Sequence, residues 1–331
     1  MVLYFGRHSS KQCIRNQPIR FGYKVWCLNS VNGYLVNFHI YTGKNNEVYS
    51  SEEKAFGKAT SPLIHMLDEF PSSISTLPYH KFLDNLFTSF NVLKHLKDNG
   101  YNATGTMREY RIPRGCPLPS NKIVKREKRG TCKYIIEHTD GIFICKWVDN
   151  SAVTVASTKY GFEPTNATKR YSRKDKKSVI VPQPHCIYQY NKSMGGTDRM
   201  DQDIIRYKID IRGKKWWFVL FTWLIDVAVN NSWLIHKESS GTKIPKLQFC
   251  RQLAQTYLVR FKTPIKKAGP SAHAKNKCID SIRYDRIDHF VAPIENRRRC
   301  ANKPCSSHVK TICQKCDVGL CVRCFVKYHS I

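Results

Sequence analysis

The period of apolar and polar positions changes along the chain, and each change marks an element. The run YKVWCL (23–28), then Asn32-Gly33, then YLVNFHIY (34–41), sets β-branched and aromatic residues on both sides of a tight-turn dipeptide, so a β-hairpin is predicted. A third apolar piece, HKFLDN (80–85), holds Asp84 and leads into FTSFNVLKHLKDNG. There Phe90, Leu93 and Leu96 recur at helical spacing and Gly100 is placed to end the helix. The order is strand, aspartate, helix. From about Arg108 to Val181 the strand-like runs GIFICKW and AVTVAST are flanked by the basic clusters KIVKREKRG and KRYSRKDKK, which predicts a β-rich insertion with a basic surface. Beyond Asp203, IRGKKWWFVLFTWLIDVAVNNSWLIHK reads as a helix entered through a basic turn. Its most apolar window, Trp216–Ile235, is interrupted by Asp226, Asn230 and Asn231, so a buried or amphipathic helix is predicted rather than a membrane span. Residues 238–295 are polar and basic with scattered apolar anchors, and no order of elements follows from them. No internal repeat occurs.

Charge changes the picture from fold to partners. The 331 residues carry 55 Lys and Arg against 25 Asp and Glu, a formal charge of +30. Such an excess favours a polyanion, and nucleic acid is the simplest one, because each phosphate neutralised releases counterions. An anionic membrane surface is the competing reading. The opening MVLYFGRHSSKQC lacks the apolar core of a signal peptide, which points to a cytosolic or nuclear chain. At 41% apolar and 12% aromatic residues it can bury a real core, and its length suits two or three domains.

The C-terminal stretch RRRCANKPCSSHVKTICQKCDVGLCVRCFVKYHSI concentrates cysteines in short-spaced pairs. Cys313 with Cys316 and Cys321 with Cys324 form two C-x-x-C pairs, Cys300 with Cys305 a looser one, and His308 and His329 lie within reach. Thiolates and imidazoles at such spacing suit tetrahedral Zn²⁺, whose binding supplies folding energy that a segment this small lacks. Eight candidates fill two closed sites. Interleaving the first pair with the third, and the second with the remaining ligands, is one of several arrangements. A disulfide cluster is the alternative, disfavoured by compartment. The remaining cysteines, from Cys13 to Cys278, are scattered and read as buried thiols.

Carboxylates are scarce in this chain, yet NKSMGGTDRMDQDIIRYKI (191–209) places Asp198, Asp201 and Asp203 just after paired glycines. Gly195 and Gly196 can turn the chain sharply into a helix, Thr197 is a reasonable N-cap, and Asp198 and Asp201 then share a face. Acidic residues in a first turn also complement the helix dipole, which is the purely structural explanation, and Asp84 has a similar one as a cap. The combination points further. A carboxylate at a strand end, another at a later helix start and a basic surface are what Mg²⁺-dependent phosphoryl transfer on DNA requires.

These residues carry a resemblance to the piggyBac transposase family and its domesticated descendants. The matching pieces are GRHSSKQ, RFGYKVW, GYLVNFHIYTGK, LDNLFTS, WVDNSAVTVAST, GGTDRMDQ, IRGKKWW and the closing C-x-x-C-x4-LC-x-x-CF-x-x-YH, in family order over nearly the whole chain. The resemblance implies an α/β fold: an RNase H-like (DDE transposase) core, a β-rich insertion domain, a helical segment and a C-terminal zinc-binding cysteine-rich module that contacts DNA. On this reading residues 1–107 and 185–208 form the core and 108–184 the basic insertion. Residues 209–265 form a helical segment for dimerisation and DNA binding, 266–295 a basic linker and 296–331 the zinc module. In the family, three aspartates hold two Mg²⁺ ions for strand cleavage and transfer; Asp84 and Asp198 match two of them and Asp201 a further acidic position. The first is missing. Where the family's strand ends in aspartate this chain has Asn29 or Ser30, and no aspartate precedes Asp68.

An amide or hydroxyl brings no charge and is a poor bridge between two cations, so Mg²⁺ binding there is vestigial or weak. The family's N-terminal region, which helps dimerise and bind DNA, would precede residue 1, so the chain reads as N-terminally truncated. The favoured function is a catalytically impaired, transposase-derived protein that binds double-stranded DNA, terminal-repeat-like or otherwise; an active transposase is the alternative. Whether it is an enzyme therefore turns on the incomplete triad. Homodimerisation and a nuclear location follow from the resemblance, with no membrane partner. The DNA-contacting candidates are Lys125, Arg126, Lys128, Arg129, Lys169, Arg170, Arg173 and Lys174. VKREKRG can serve equally as a nuclear import signal or as a phosphate-contacting face.

Overall fold

The computed structural model describes residues 1–15, 18–43, 50–173, 176–211, 213–241, 244–261 and 278–330. The chain divides into two compact units, residues 1–239 and 240–331.

The first unit opens with β1 (Val2–Leu3), β2 (Gln12–Cys13) and β3 (Phe21–Tyr23), a small antiparallel sheet in the order β1-β3-β2. Next come β4 (Val25–Asn29) and β5 (Leu35–Ile40), the predicted hairpin, antiparallel with Val25 opposite Ile40. Gly33 in its turn has φ +97°, a conformation that only glycine adopts without strain, and a Cβ there would meet the Met200 backbone nitrogen at 3.1 Å. Three helices follow, α1 (Ser50–Phe56), α2 (Ser61–Asp68) and α3 (Ser72–Ser75), then β6 (His80–Leu83), α4 (Phe90–Asp98) and β7 (Asn102–Thr106). Ser89 caps α4 by accepting from the Val92 amide. After a 3-10 turn (Glu109–Arg111) come α5 (Asn121–Val124), β8 (Cys132–Ile136), β9 (Phe143–Val148), β10 (Ala152–Ser157), β11 (Asn166–Ser172) and β12 (Lys177–Gln183). The unit closes with α6 (His185–Ser193), α7 (Gly196–Arg206) and α8 (Phe218–Ser239).

The main sheet runs β6-β7-β10-β9-β8, with β6 and β7 parallel and the other pairs antiparallel. Strands β8 to β10, from the stretch that reads as an insertion, are thus hydrogen-bonded into one sheet with the strand that precedes Asp84. Strand β9 is buried along its whole length, because both faces of the sheet are covered. Ile142 and Ile144 join a core with Leu63, Leu67, Leu83, Val92, Leu93 and Leu96, while Phe143, Cys145 and Trp147 join a second core with Val155, Val181, Cys186 and Ile187. That double burial explains the unbroken apolar run GIFICKW. Strands β4 and β5 pair with each other in a separate ladder. Leu28 of β4 nevertheless packs on the core that contains Leu83, and the Trp26 and Phe87 rings meet edge-on at 5.4 Å. The strand ends that precede Asn29 and Asp84 therefore share one core.

Helix α8 is long and apolar enough to cross a membrane by length and composition alone. Its polar interruptions are tied to the unit around it. The Asp226 carboxylate accepts from the Ile209 amide at 3.1 Å, and the Asn231 side chain both accepts from the Leu35 amide and donates to the Leu35 carbonyl at 2.9 Å. Val227 packs with Leu35, Met200 and Ile204, so α8 clamps the hairpin and α7 together.

The β11–β12 hairpin is fastened by one carboxylate. The Asp149 Oδ1 accepts from Arg129 Nε at 2.8 Å and its Oδ2 from Arg170 Nε at 3.0 Å, while Arg129 also donates to the Tyr171 carbonyl at 3.1 Å. All three charged side chains are less than a third exposed. Asp149→Ala leaves two half-buried guanidinium groups unpaired and is expected to cost about 2 kcal/mol. Urea unfolding checks this, and an unchanged midpoint would contradict it.

The second unit contains α9 (Lys246–Arg260), α10 (Asp280–Arg283), β13 (Val291–Arg299), β14 (His308–Cys313), β15 (Val318–Gly319) and α11 (Val322–His329). The three strands form an antiparallel sheet, β13-β14-β15. Its core consists of Cys300, Cys313, Cys316, Val318, Leu320 and Tyr328, half of them cysteines.

Candidate functional site

Asp84 follows the last residue of β6 and its carboxylate accepts from the Asn85 amide at 2.6 Å; Asp198 lies in the first turn of α7. Both are exposed, as a metal-dependent site on a large substrate requires. The Tyr190 hydroxyl of α6 lies 3.3 Å from Thr106 Oγ1, at the end of β7. Burial raises the Tyr190 pKa and the Asp84 charge adds to the rise, which puts α6 within electrostatic reach of Asp84.

Helix α7 meets β4 closely. A Cβ on Gly196 would stand 2.3 Å from the Ser30 carbonyl oxygen, so glycine is needed there for the close approach of α7 to β4, whereas Gly195 has room for a Cβ. Gly195 occupies the N-cap position, which corrects the assignment of that role to Thr197. The Thr197 hydroxyl instead donates to Asn29 Oδ1 at 3.0 Å, and Asn29 Nδ2 faces the Met200 sulfur at 3.2 Å. Both ends of the Asn29 amide are therefore engaged by the helix that carries Asp198. Desolvation raises the Asp201 pKa, and Asp198 raises it further. Burial pushes the Cys27 thiol up to about 12, with the Asp201 charge contributing, which sets Asp201 facing β4. The structure thus brings Asn29, Asp198 and Asp201 to one seam between β4 and α7, and places Asp84 at the end of a strand whose core β4 shares.

In the second unit two groups of four side chains bring their ligand atoms within 4.8 Å of one another: Cys300, Cys305, Cys321 and Cys324; and His289, Cys313, Cys316 and His329. Either can hold a metal ion; a tetrahedron with bonds of about 2.3 Å to sulfur has edges of about 3.8 Å. The first group pairs the first cysteine pair with the third. The second takes its fourth member from upstream. His308 is exposed at the start of β14 and belongs to neither group, whereas His289, which the short spacings do not reveal, faces the Cys313 sulfur at 3.3 Å through Nδ1. Its Nε2 lies 3.0 Å from Asp285 Oδ1, the carboxylate–histidine arrangement that orients a ligating ring. Desolvation would raise the Asp285 pKa, but hydrogen bonds from Lys315, the Ile287 amide and His289 outweigh it and hold the carboxyl below its usual range. His329 shows the same logic with a different partner: its Nδ1 lies 2.9 Å from the Phe325 carbonyl and its Nε2 3.5 Å from the Cys316 sulfur. Burial lowers its pKa, which favours the neutral ring that a metal needs. At the other group, Ser307 brings the Cys305 thiol down to about 6, toward the ligating thiolate.

Of the basic candidates, Lys125, Arg126, Lys128, Lys169 and Arg173 are exposed. Arg129 and Arg170 are held by Asp149, a pairing across the fold that a count of local charge does not detect. Lys174 lies outside the described residues.

Comparison with known proteins bears on all of this. A family model described as Transposase IS4 matches residues 1–233. The human PiggyBac transposable element-derived protein 3 is 39% identical over 330 residues, all of this chain and 54% of that protein. The human PiggyBac transposable element-derived protein 2 is 36% identical over 99% of this chain and 54% of its own length. The chain thus spans about half the length of these curated relatives. Among solved structures, a piggyBac transposase synaptic complex with hairpin DNA superposes with a TM-score of 0.58 at 18% identity, covering 97% of this chain and 67% of that one, a likeness of fold. With its seam of acidic residues and its paired cysteine groups, this chain belongs to the piggyBac-type branch of the DDE transposase family.

Proposed function

We propose that the chain is a transposase-derived protein that binds double-stranded DNA in the nucleus and whose strand-cleavage site is catalytically impaired. One observation carries the impairment: at the β4 end that packs on the first turns of α7, the side chain accepting from Thr197 is the Asn29 amide, not a carboxylate. In an RNase H-like reading of the fold, Asn29, Asp84 and Asp198 take the three metal-holding positions, and Asp201 stands beside them. Two carboxylates can hold one Mg²⁺ weakly, whereas a second ion lacks an anionic bridge. The two cysteine groups hold structural Zn²⁺, because sulfur-rich tetrahedral sites select it in a reducing compartment. DNA binding rests on the net charge of +30 and on exposed cations in the segment that follows α5 and in the β11–β12 hairpin.

Reversing charge at Lys125, Arg126, Lys128, Lys169 and Arg173 together is expected to weaken duplex binding at least about a hundredfold at physiological salt, and to flatten the slope of log affinity against log salt by about one unit per lost phosphate contact. Reversal at Arg129 and Arg170 instead loosens the hairpin. Fluorescence anisotropy across a salt series checks both, and unchanged affinity in the five-site variant would remove this surface from the DNA-binding face.

A further inference from the structure

The second core of the first unit contains three cysteines that neither the acidic seam nor the metal groups use. Cys145 on β9 and Cys186 at the start of α6 are fully buried, with sulfurs 3.5 Å apart. Cys132 on β8 is partly exposed and packs against the same core. The register explains the row: Tyr134 stands opposite Cys145, so Cys132 lies diagonally across from it on the same face. The three thiols run from the surface into the core, with Cys145 in the middle.

We propose that Cys132, Cys145 and Cys186 form an oxidant-responsive relay that closes a disulfide between Cys145 and Cys186. A peroxide meets the accessible thiol first: Cys132 and hydrogen peroxide give a Cys132 sulfenic acid and water. The Cys145 sulfur then displaces the sulfenic hydroxyl, which leaves as water with the thiol proton, and a Cys132–Cys145 disulfide forms. Cys186 attacks the Cys145 sulfur of that bond; the new bond joins Cys145 to Cys186, and Cys132 leaves and takes up the Cys186 proton. In sum two thiols and one peroxide give one disulfide and two waters.

Two features favour this order. Neighbouring thiols and burial hold the Cys145 pKa well above its ordinary value, so peroxide reacts at the more accessible Cys132 rather than at Cys145. The Cys145 and Cys186 sulfurs need to close by about 1.5 Å to reach bonding distance. The bond would tie the central sheet to α6, the helix that runs into Gly195, Gly196 and α7, and so to the element carrying Asp198.

Peptide mass mapping of the full chain tests the relay. The Zn²⁺-loaded protein is exposed to hydrogen peroxide, free thiols are alkylated, and the non-reduced digest is followed in time. The expected product joins the Cys145 and Cys186 peptides and is lighter than their sum by two hydrogens, preceded by a transient Cys132–Cys145 species. In Cys132→Ser the final product forms at least about tenfold more slowly. In Cys186→Ser oxidation stops at Cys132–Cys145. Mapping reads each cysteine separately, so oxidation elsewhere does not interfere. Absence of the Cys145–Cys186 product while Cys132 is oxidised overturns the proposal, as does equal speed in Cys132→Ser. If a variant does not fold, the time course of the unaltered chain decides alone.

Discussion

Chelation is expected to unfold residues 278–330 and to leave the first unit intact. Among the described residues the second unit's buried core is Val318, Leu320 and Tyr328 besides its cysteines, with Ala301 and Phe325 packed against it, far less apolar surface than a segment of this size needs to fold alone. The first unit has two extended aliphatic and aromatic cores of its own. A structural zinc site contributes on the order of 10 kcal/mol or more of apparent binding energy to folding, so loss of either ion exceeds any stability the small sheet could have. Metal analysis should find two Zn²⁺ per chain. His289→Ala should lower that well below two, because the module that loses one ion no longer holds the other, and His308→Ala should leave it at two. Hydrogen exchange resolved by peptide reads the two units separately, and protection retained in 291–313 after chelation would refute a structural role for the metal.

Asn29→Asp is expected to produce the second large effect. The new carboxylate would still accept from the Thr197 hydroxyl, would give up the contact with the Met200 sulfur, and would stand at the β4–α7 seam with Asp198 and Asp201. Without metal the added repulsion would raise the proton affinity of the cluster, in the same direction that burial and, to a lesser extent, the Asp198 charge already shift Asp201. With metal the sign would reverse, because on the proposed reading the new carboxylate would add an anionic ligand beside Asp198 that the neutral amide does not supply. Calorimetry should show a second Mg²⁺ bound by the variant. Mg²⁺-dependent nicking of terminal-repeat duplex should rise by about a hundredfold or more, a barrier change of about 3 kcal/mol. Equal nicking by the unaltered chain would show that Asn29 does not silence the site. Asp84→Ala in the Asn29→Asp background should abolish the gain.

Much of this was legible in the sequence wherever spacing is local. The hairpin around Asn32-Gly33, helix α4 between Ser89 and Gly100, and strands β9 and β10 announce themselves through periodicity and turn chemistry. The cysteine pairs do so through thiol spacing. What stayed hidden depends on contacts between distant positions. His289 stands apart from the cysteine pairs, and only the fold turns it onto Cys313. Arg129 and Arg170 count as basic surface in a local window, yet Asp149 claims both from positions 20 and 21 residues away. Thr197 has a good capping side chain, but the close approach of β4 gives its hydroxyl a different acceptor and leaves the cap to Gly195. Local preference yields in each case to a tertiary contact that the chain order does not encode.

The two ligand groups are nested in chain order: every member of the cysteine group lies between His289 and His329, and Cys313 and Cys316 lie between its two halves. Whichever ion arrives first shortens the loops that the other must close, and closing a shorter loop costs less entropy. Uptake should therefore be cooperative, with half-loaded chains scarce at intermediate metal supply. A cell short of zinc would hold two populations, complete modules and unfolded ones, and a modest fall in supply would remove the C-terminal module abruptly rather than by degrees.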